Sequence, residues 1–273
     1  MRTQGAKGAA PEPAKPTQGE ILPTVAGAGR RYSGMCSADR VLERHGRLIE
    51  AGIDVFGTLG YGCAKIKTVC QRAGLSERYF YESFESREDL LATIYDHLAA
   101  VLLEELKTAF NDPARDLVSS IKAGTGEVVH FMLDDPRHVR ILLVEMVGVS
   151  DQLESMRHRS LNDFADETMN KLLLLCETDP KDAREWLAAH PEDQGMADIL
   201  DFARLTAVSV VGGVNNMLLD ALQGGTLHNT QRIIDVSCQL ISNASLGIRA
   251  LPEKQRLNPA IVVDRARQDM RQP

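Results

Sequence analysis

The sequence predicts an all-α protein: an N-terminal three-helix helix-turn-helix unit followed by a larger helical body. Three observations predict it. Apolar residues recur every three to four positions over most of the chain, the spacing of one buried helix face. Aromatics supply only 5% of the 273 residues, while the good helix formers Leu, Ala, Glu and Arg are plentiful. Gly, Pro and Ser- or Asp-led starts punctuate these stretches at helix-length intervals.

Hydrophobic residues make up 44% and charged residues 25%, the balance of an ordinary soluble globular protein. No apolar run approaches the roughly eighteen residues of a membrane span. The N-terminus lacks the apolar core and cleavage site of a secretory signal. A cytoplasmic protein with no membrane partner is expected. Five scattered cysteines, with no C-x-x-C among them, suggest reduced thiols and neither a disulfide framework nor a zinc ribbon. No histidine pair sits at i,i+4 and no H-E-x-x-H occurs, so no metal is expected. His130 and Asp134, four apart, read as a solvated pair. No nucleophile elbow, P-loop or dinucleotide turn is present, so no catalytic residue, no cofactor and no enzymatic role are expected.

Residues 1–37 are rich in Pro, Gly, Ala and Thr, which predicts a disordered arm. A long helix is predicted from Asp39 to Leu59, with Leu42, Ile49, Gly52, Ile53 and Phe56 on its inner stripe. Gly60-Tyr61-Gly62 ends it. Two short helices follow. The first, from about Lys65 to Arg72, turns Ile66, Val69, Cys70 and Ala73 inward. Gly74 supplies a positive φ, Leu75 plugs the turn, and Ser76 is a natural N-cap for the second. That helix buries Phe80 and Phe84, four apart, and shows Glu77, Arg78, Tyr79, Tyr81 and Glu82 outward. A helix anchored by two rings, with long hydrogen-bonding side chains opposite, fits a reading helix that enters a major groove. Ser86-Arg87-Glu88-Asp89 has capping-box spacing and opens a long fourth helix with Leu90, Ile94, Leu98, Val101 and Leu102 inward.

The net charge of −7 is unevenly spread. Residues 1–91 carry 13 Lys+Arg against 11 Asp+Glu, and the rest carry 18 against 27. A near-neutral head on an acidic body suits a protein that meets phosphate through one small surface.

Ile49-Glu50-Ala51-Gly52-Ile53-Asp54-Val55-Phe56, Gly60-Tyr61, Val69-Cys70, Ala73-Gly74-Leu75-Ser76, Tyr81, Phe84, Ser86-Arg87-Glu88 and Leu90 together resemble the N-terminal domain of the tetracycline-repressor (TetR) family of transcriptional regulators, over about fifty residues with every gap in register. The resemblance implies that Tyr81 donates to a backbone phosphate. It implies that Arg87, where the family usually has lysine, makes a second phosphate contact. Ser76, Arg78 and Tyr79 then lie where the family reads or positions DNA. The sequence departs from the family at Ala64-Lys65, in place of a threonine pair, and at Ser83, in place of a histidine. Lys65, Lys67, Ser76, Glu77, Arg78, Tyr79, Tyr81 and Arg87 form the candidate DNA-contacting set.

The domains expected are the arm (1–37), the DNA-binding unit (38–95), a ligand-binding and dimerisation body (96–251) and a polar tail (252–273). In the body a helix is predicted from Pro113 to about Leu133, interrupted by Gly124 and Gly126, and a short one from Asp134-Asp135-Pro136 to Val147. A long helix should span Asp151 to Glu177. Thr178 to Gln194 reads as a loop with a helical turn near Trp186. Two final helices, Met196 to Gln223 and Asn229 to about Leu251, either complete the monomer core or, as the resemblance implies, form a four-helix homodimer interface. The partners expected are a double-stranded DNA operator, a second copy of the chain and a small, apolar effector. Phe131, Met132, Met146, Phe164, Met169 and Phe202, large and adaptable, are the candidate ligand-lining residues. The expected function is a homodimeric repressor released by that ligand. The alternatives are an activator or an effector-independent DNA-binding protein of the same fold.

Overall fold

The computed structural model describes residues 37–224 and 229–250; the N-terminal arm and C-terminal tail lie outside them. Among the described residues the regular structure is entirely helical. A head of α1 (Ser37–Leu59), α2 (Ile66–Ala73) and α3 (Glu77–Ser83) leads into α4 (Arg87–Phe110). The body adds α5 (Leu117–Asp134), α6 (Pro136–Arg140), a π-helical turn (Ile141–Glu145), α7 (Asp151–Leu175), α8 (Pro180–Ala189), α9 (Gln194–Leu222) and α10 (Thr230–Arg249).

The long helices from α4 onward mostly start on a side-chain cap. Ser86, Asp116, Asp135, Ser150, Asp179 and Asn229 accept backbone N–H groups at their helix N-termini, meeting donors that the first turn leaves without helical partners. Pro136 and Pro180 occupy first-turn positions, where a missing N–H is harmless.

The head and upper body share one core. Leu48, Phe56, Phe80, Leu90, Ile94, Val129, Ile141 and Met146 are fully buried within it. A second cluster around Met169, Leu172, Leu200, Ala203, Ala207 and Ile241 closes the far end. Leu42, expected inward, is 58% exposed, because α1 begins two turns before α2 and α4 offer it anything to pack on. The helix expected from Pro113 starts at Leu117, where Asp116 supplies the cap. It runs unbroken through Gly124 and Gly126.

The segment expected as a loop around Trp186 is a ten-residue helix, α8. Its acids lie on the solvent face while Ala183 and Leu187 pack against the second cluster. Trp186 stacks on His190 at 3.9 Å and donates its indole N–H to Asp193 at 2.9 Å. Helix α9 contains an 18-residue window of mean hydropathy 1.4, only 22% of it buried, so it is more apolar than the sequence reading allowed.

Candidate DNA-reading head and effector cavity

The turn between α2 and α3 is built on Gly74, at φ +64°. Its N–H bonds Gln71 O at 3.2 Å and the Leu75 N–H bonds Cys70 O at 2.9 Å, which closes α2 in a left-handed cap. Arg47, on α1, donates to the carbonyls of Ala73 and Gly74 and pins the turn from outside. Ser76 holds the N-cap position of α3, although its hydroxyl makes no capping bond.

Phe80 and Phe84 are buried with ring centroids 5.8 Å apart. His45 stacks on Phe84 at 4.8 Å, and burial pushes its imidazole below its ordinary value, opposed by the Asp89 carboxylate. Two anchored rings fix the roll of α3, so its outer face is set.

That face carries Glu77, Arg78, Tyr79 and Tyr81 into solvent, with Tyr81 58% exposed. Arg78 pairs with Glu82 at 3.0 Å, an exposed contact that a phosphate or base edge can displace at little cost. Arg44 of α1 lies 4.6 Å over the Tyr79 ring and adds a cation beside the reading face. Lys65 and Lys67 are exposed at the start of α2.

Arg87 is half-buried. It donates to Ala64 O and lies 4.1 Å over the Tyr61 ring, so the start of α4 is locked to the loop before α2. Nearby, Asp89 N–H bonds Ser86 Oγ at 3.0 Å and Asp89 Oδ2 accepts from Glu85 N at 2.9 Å. The reciprocal capping bond thus reaches one residue further back than the sequence pattern suggested.

Head and body meet across a charged latch. Glu145, in the π turn, accepts the Tyr61 N–H at 2.6 Å and the Arg140 Nε–H at 2.7 Å. Arg140 also donates to Thr58 O at 2.6 Å. Arg137 reaches Asp54 at 3.4 Å and Asp135 at 2.6 Å, and Asp54 holds Arg72 of α2 at 2.7 Å. The Arg137 guanidinium keeps the Asp135 carboxyl below its ordinary value. Ser150 donates to Glu88 at 2.5 Å. The pairs that join body to head lie far apart in sequence, and only their charge types could have hinted at them.

In the body, α4, α5, the π turn, α7, α9 and α10 enclose a cavity of about 80 Å³. Tyr95, Leu102, Leu106 and Phe110 supply the α4 wall, and Leu142 and Leu143 of the π turn another. Of the six residues expected to line a ligand site, Met132 and Phe164 do so. Phe131 stacks instead on His138 at 4.4 Å, Met146 is sealed in the head-side core, and Met169 and Phe202 belong to the second cluster. Gly124 lets Phe110 close in: a Cβ there would stand 2.2 Å from the Phe110 ring. Burial pushes the Tyr95 hydroxyl up, against a hydrogen bond to Ser160. Tyr95, Ala99 and Ser160 also line an outer cleft of about 360 Å³ with Asp96, Arg159 and Asp163.

No metal-holding group of three His, Cys, Asp or Glu side chains occurs among the described residues. His130 and Asp134 form an exposed 3.5 Å pair.

A buried-ring reading helix on a three-helix head, joined by one long helix to a hollow helical body, defines a helix-turn-helix DNA-binding regulator. Residues 48–94 match the model of bacterial regulatory proteins of the tetR family, so the head is a DNA-binding domain of that family's type. No curated protein matches the sequence. Among solved structures it is similar to the fatty acid degradation regulator FadR from Bacillus halodurans, at 14% identity and TM-score 0.59, covering 73% of this chain and 94% of that one. It is also similar to a transcriptional regulator from Rhodococcus sp. RHA1, at 18% identity and TM-score 0.58, covering 76% and 99%. A TetR-like regulator from the same organism follows at 16% identity and TM-score 0.56, covering 75% and 96%. These likenesses carry the fold.

Proposed function

We propose that this protein is a cytoplasmic, non-enzymatic, homodimeric repressor that leaves its operator when a small, mostly apolar molecule enters the body cavity. One observation carries the reading: the π turn faces both sites. Leu142 and Leu143 line the cavity while Glu145, in the same five-residue turn, holds the backbone of Tyr61 in the head. π turns are rare and recur at functional positions. Helix α4 makes a second link, with Arg87 locked to the head at one end and Phe110 in the cavity wall at the other. Its 24 residues span about 36 Å.

The cavity is smaller than the roughly 150 Å³ that accepts benzene in an engineered apolar void. An occupant therefore favours a form in which the walls have moved apart, and the π turn and α4 carry that movement to the head. Release needs the ligand to prefer the non-binding form by about 1–3 kcal/mol. Tyr81 and Arg87, with Lys65 and Lys67, would position the head on phosphates, and Ser76, Glu77, Arg78 and Tyr79 would face base edges.

The dimer is supported by the uncovered apolar stripe on α9 and α10. Leu205 is 65% and Leu246 62% exposed, and Val208, Val236 and Leu240 are exposed as well. Selection from random duplexes tests the reading. Enrichment of a two-fold symmetric site is expected, its half-sites spaced by about one helical turn or a multiple, with binding that falls steeply with salt. Enrichment of no sequence would overturn it.

A further inference from the structure

We infer that the body cavity selects a neutral ligand, an apolar skeleton carrying one hydrogen-bonding group such as a ketone or alcohol, and that Asn215 is the residue that reads that group. This rests on the cavity being the effector site proposed above, and it fixes the chemical class of the effector. Every residue lining the cavity is uncharged. A carboxylate or ammonium placed there would lose its hydration with no counter-charge in the wall, a penalty that excludes charged ligands far more strongly than it does neutral ones.

The one buried cation among the described residues is Lys171, which is not a lining residue. Its Nζ donates to Phe110 O at 2.7 Å and to Asn111 Oδ1 at 3.2 Å, closing the C-terminus of α4.

The polar groups of the wall are nearly all engaged. Tyr95 and Ser160 bond each other, Thr168 donates to Phe164 O at 2.9 Å, and Thr125 is hydrogen-bonded to Cys238. The Asn215 amide is the exception: it lines the cavity half-buried and forms no hydrogen bond among the described residues. An amide offers both a donor and an acceptor, so it can serve a carbonyl or a hydroxyl. Val211 and Val214 flank it, which confines the ligand's polar group to that one place.

The test uses the full chain and four eight-carbon compounds of matched length: 2-octanone, 1-octanol, octanoate and octylammonium. Isothermal titration and thermal shift are read on the wild type and on Asn215→Leu, with DNA binding of both proteins measured in parallel. The ketone and alcohol are expected to bind and raise the melting temperature, and the two ions to do neither at the same concentration. In Asn215→Leu the ketone and alcohol should weaken by roughly fivefold to tenfold, the weight of one net hydrogen bond, while toluene binds at least as well as to wild type.

Octanoate or octylammonium binding as tightly as the alcohol would overturn the inference. So would an unchanged alcohol affinity in Asn215→Leu, or no binding by any of the four compounds. DNA binding that persists in those cases leaves the regulator reading standing, and its absence would sink that reading separately.

Discussion

The carboxylate of Glu145 accepts the backbone N–H of Tyr61 at 2.6 Å, across 84 residues of sequence. Its side chain is only 10% exposed and also holds Arg140. The bond joins the rim of the cavity to the loop that sets the reading helix. Glu145→Leu leaves a half-buried N–H and a guanidinium without their acceptor, which should cost about 1–3 kcal/mol of stability. Glu145→Gln keeps an acceptor for Tyr61 and should cost less. In the leucine variant, cavity ligands are expected to bind normally by calorimetry while no longer releasing DNA in an anisotropy titration. Full ligand-driven release in that variant would mean that the π turn is not the link.

Phe110 and Gly124 make a second tight relation. Adding a methyl at residue 124 places it 2.2 Å from the Phe110 ring. Overpacking of this kind costs about 1–3 kcal/mol, and alanine returns about 1 kcal/mol in helix propensity. Gly124→Ala is therefore expected to lower the melting temperature. Pairing it with Phe110→Leu should restore most of the loss, since the smaller side chain vacates the contested space.

The head was legible in the sequence because its logic is local. Gly74, the Phe80/Phe84 spacing and the Ser86–Asp89 cap act within one or two turns of chain, so pattern and structure coincide. The cavity was not legible. Its walls come from five helices and a π turn, and side-chain size alone does not tell which face of a helix meets which neighbour. Met132 and Phe164 fall in the wall, whereas Met146, just as large and adaptable, is sealed in the core. The Arg137, Arg140 and Glu145 latch escaped for the same reason, as each one's partner in the head lies some eighty residues away. Helix α8 escaped for a different one: its acids suggested a loop, although Asp179-Pro180 is a sound helix start.

The outer edge of α3 divides into two kinds of contact. Tyr81→Phe removes only a hydroxyl and is expected to weaken binding by a factor of about three to ten on every duplex alike, the worth of one hydrogen bond. Arg78→Ala is expected to shift preference among sequences by about 1–3 kcal/mol at one base position. Anisotropy titrations on the selected site and on random duplexes separate the two. Equal losses on both kinds of DNA for both variants would contradict the division.

His45 predicts a pH dependence confined to the head. Burial lowers its folded pKa, while in the unfolded chain it takes up a proton near pH 6.5. Between those two values the unfolded state binds more protons, so stability falls as pH drops below about 6.5 and levels off beneath the folded pKa. His45→Phe keeps a ring against Phe84 and removes the titration. Melting curves from pH 5 to 8 should show a shallower acid-side decline in the variant than in the wild type.

The last expectation concerns the second copy of the chain. On α9, Leu205, Val208 and Gly212 fall at helical spacing along one exposed stripe, and on α10 Val236 and Leu240, four apart, are exposed as well. Exposed apolar residues repeated along a helix face are unfavourable to leave in water and mark a candidate association face. Val208→Glu puts a carboxylate in the middle of the stripe, and across a two-fold axis the same residue meets its own symmetry-related neighbourhood. Sedimentation should then show monomers in place of dimers, with the helical circular dichroism unchanged. Operator affinity should fall by at least the two to four orders of magnitude that linking two heads supplies, while binding to a single half-site stays as in wild type. A variant that remained dimeric would place the interface elsewhere, and one that lost its helices would show instead that the stripe belongs to the fold of the single chain.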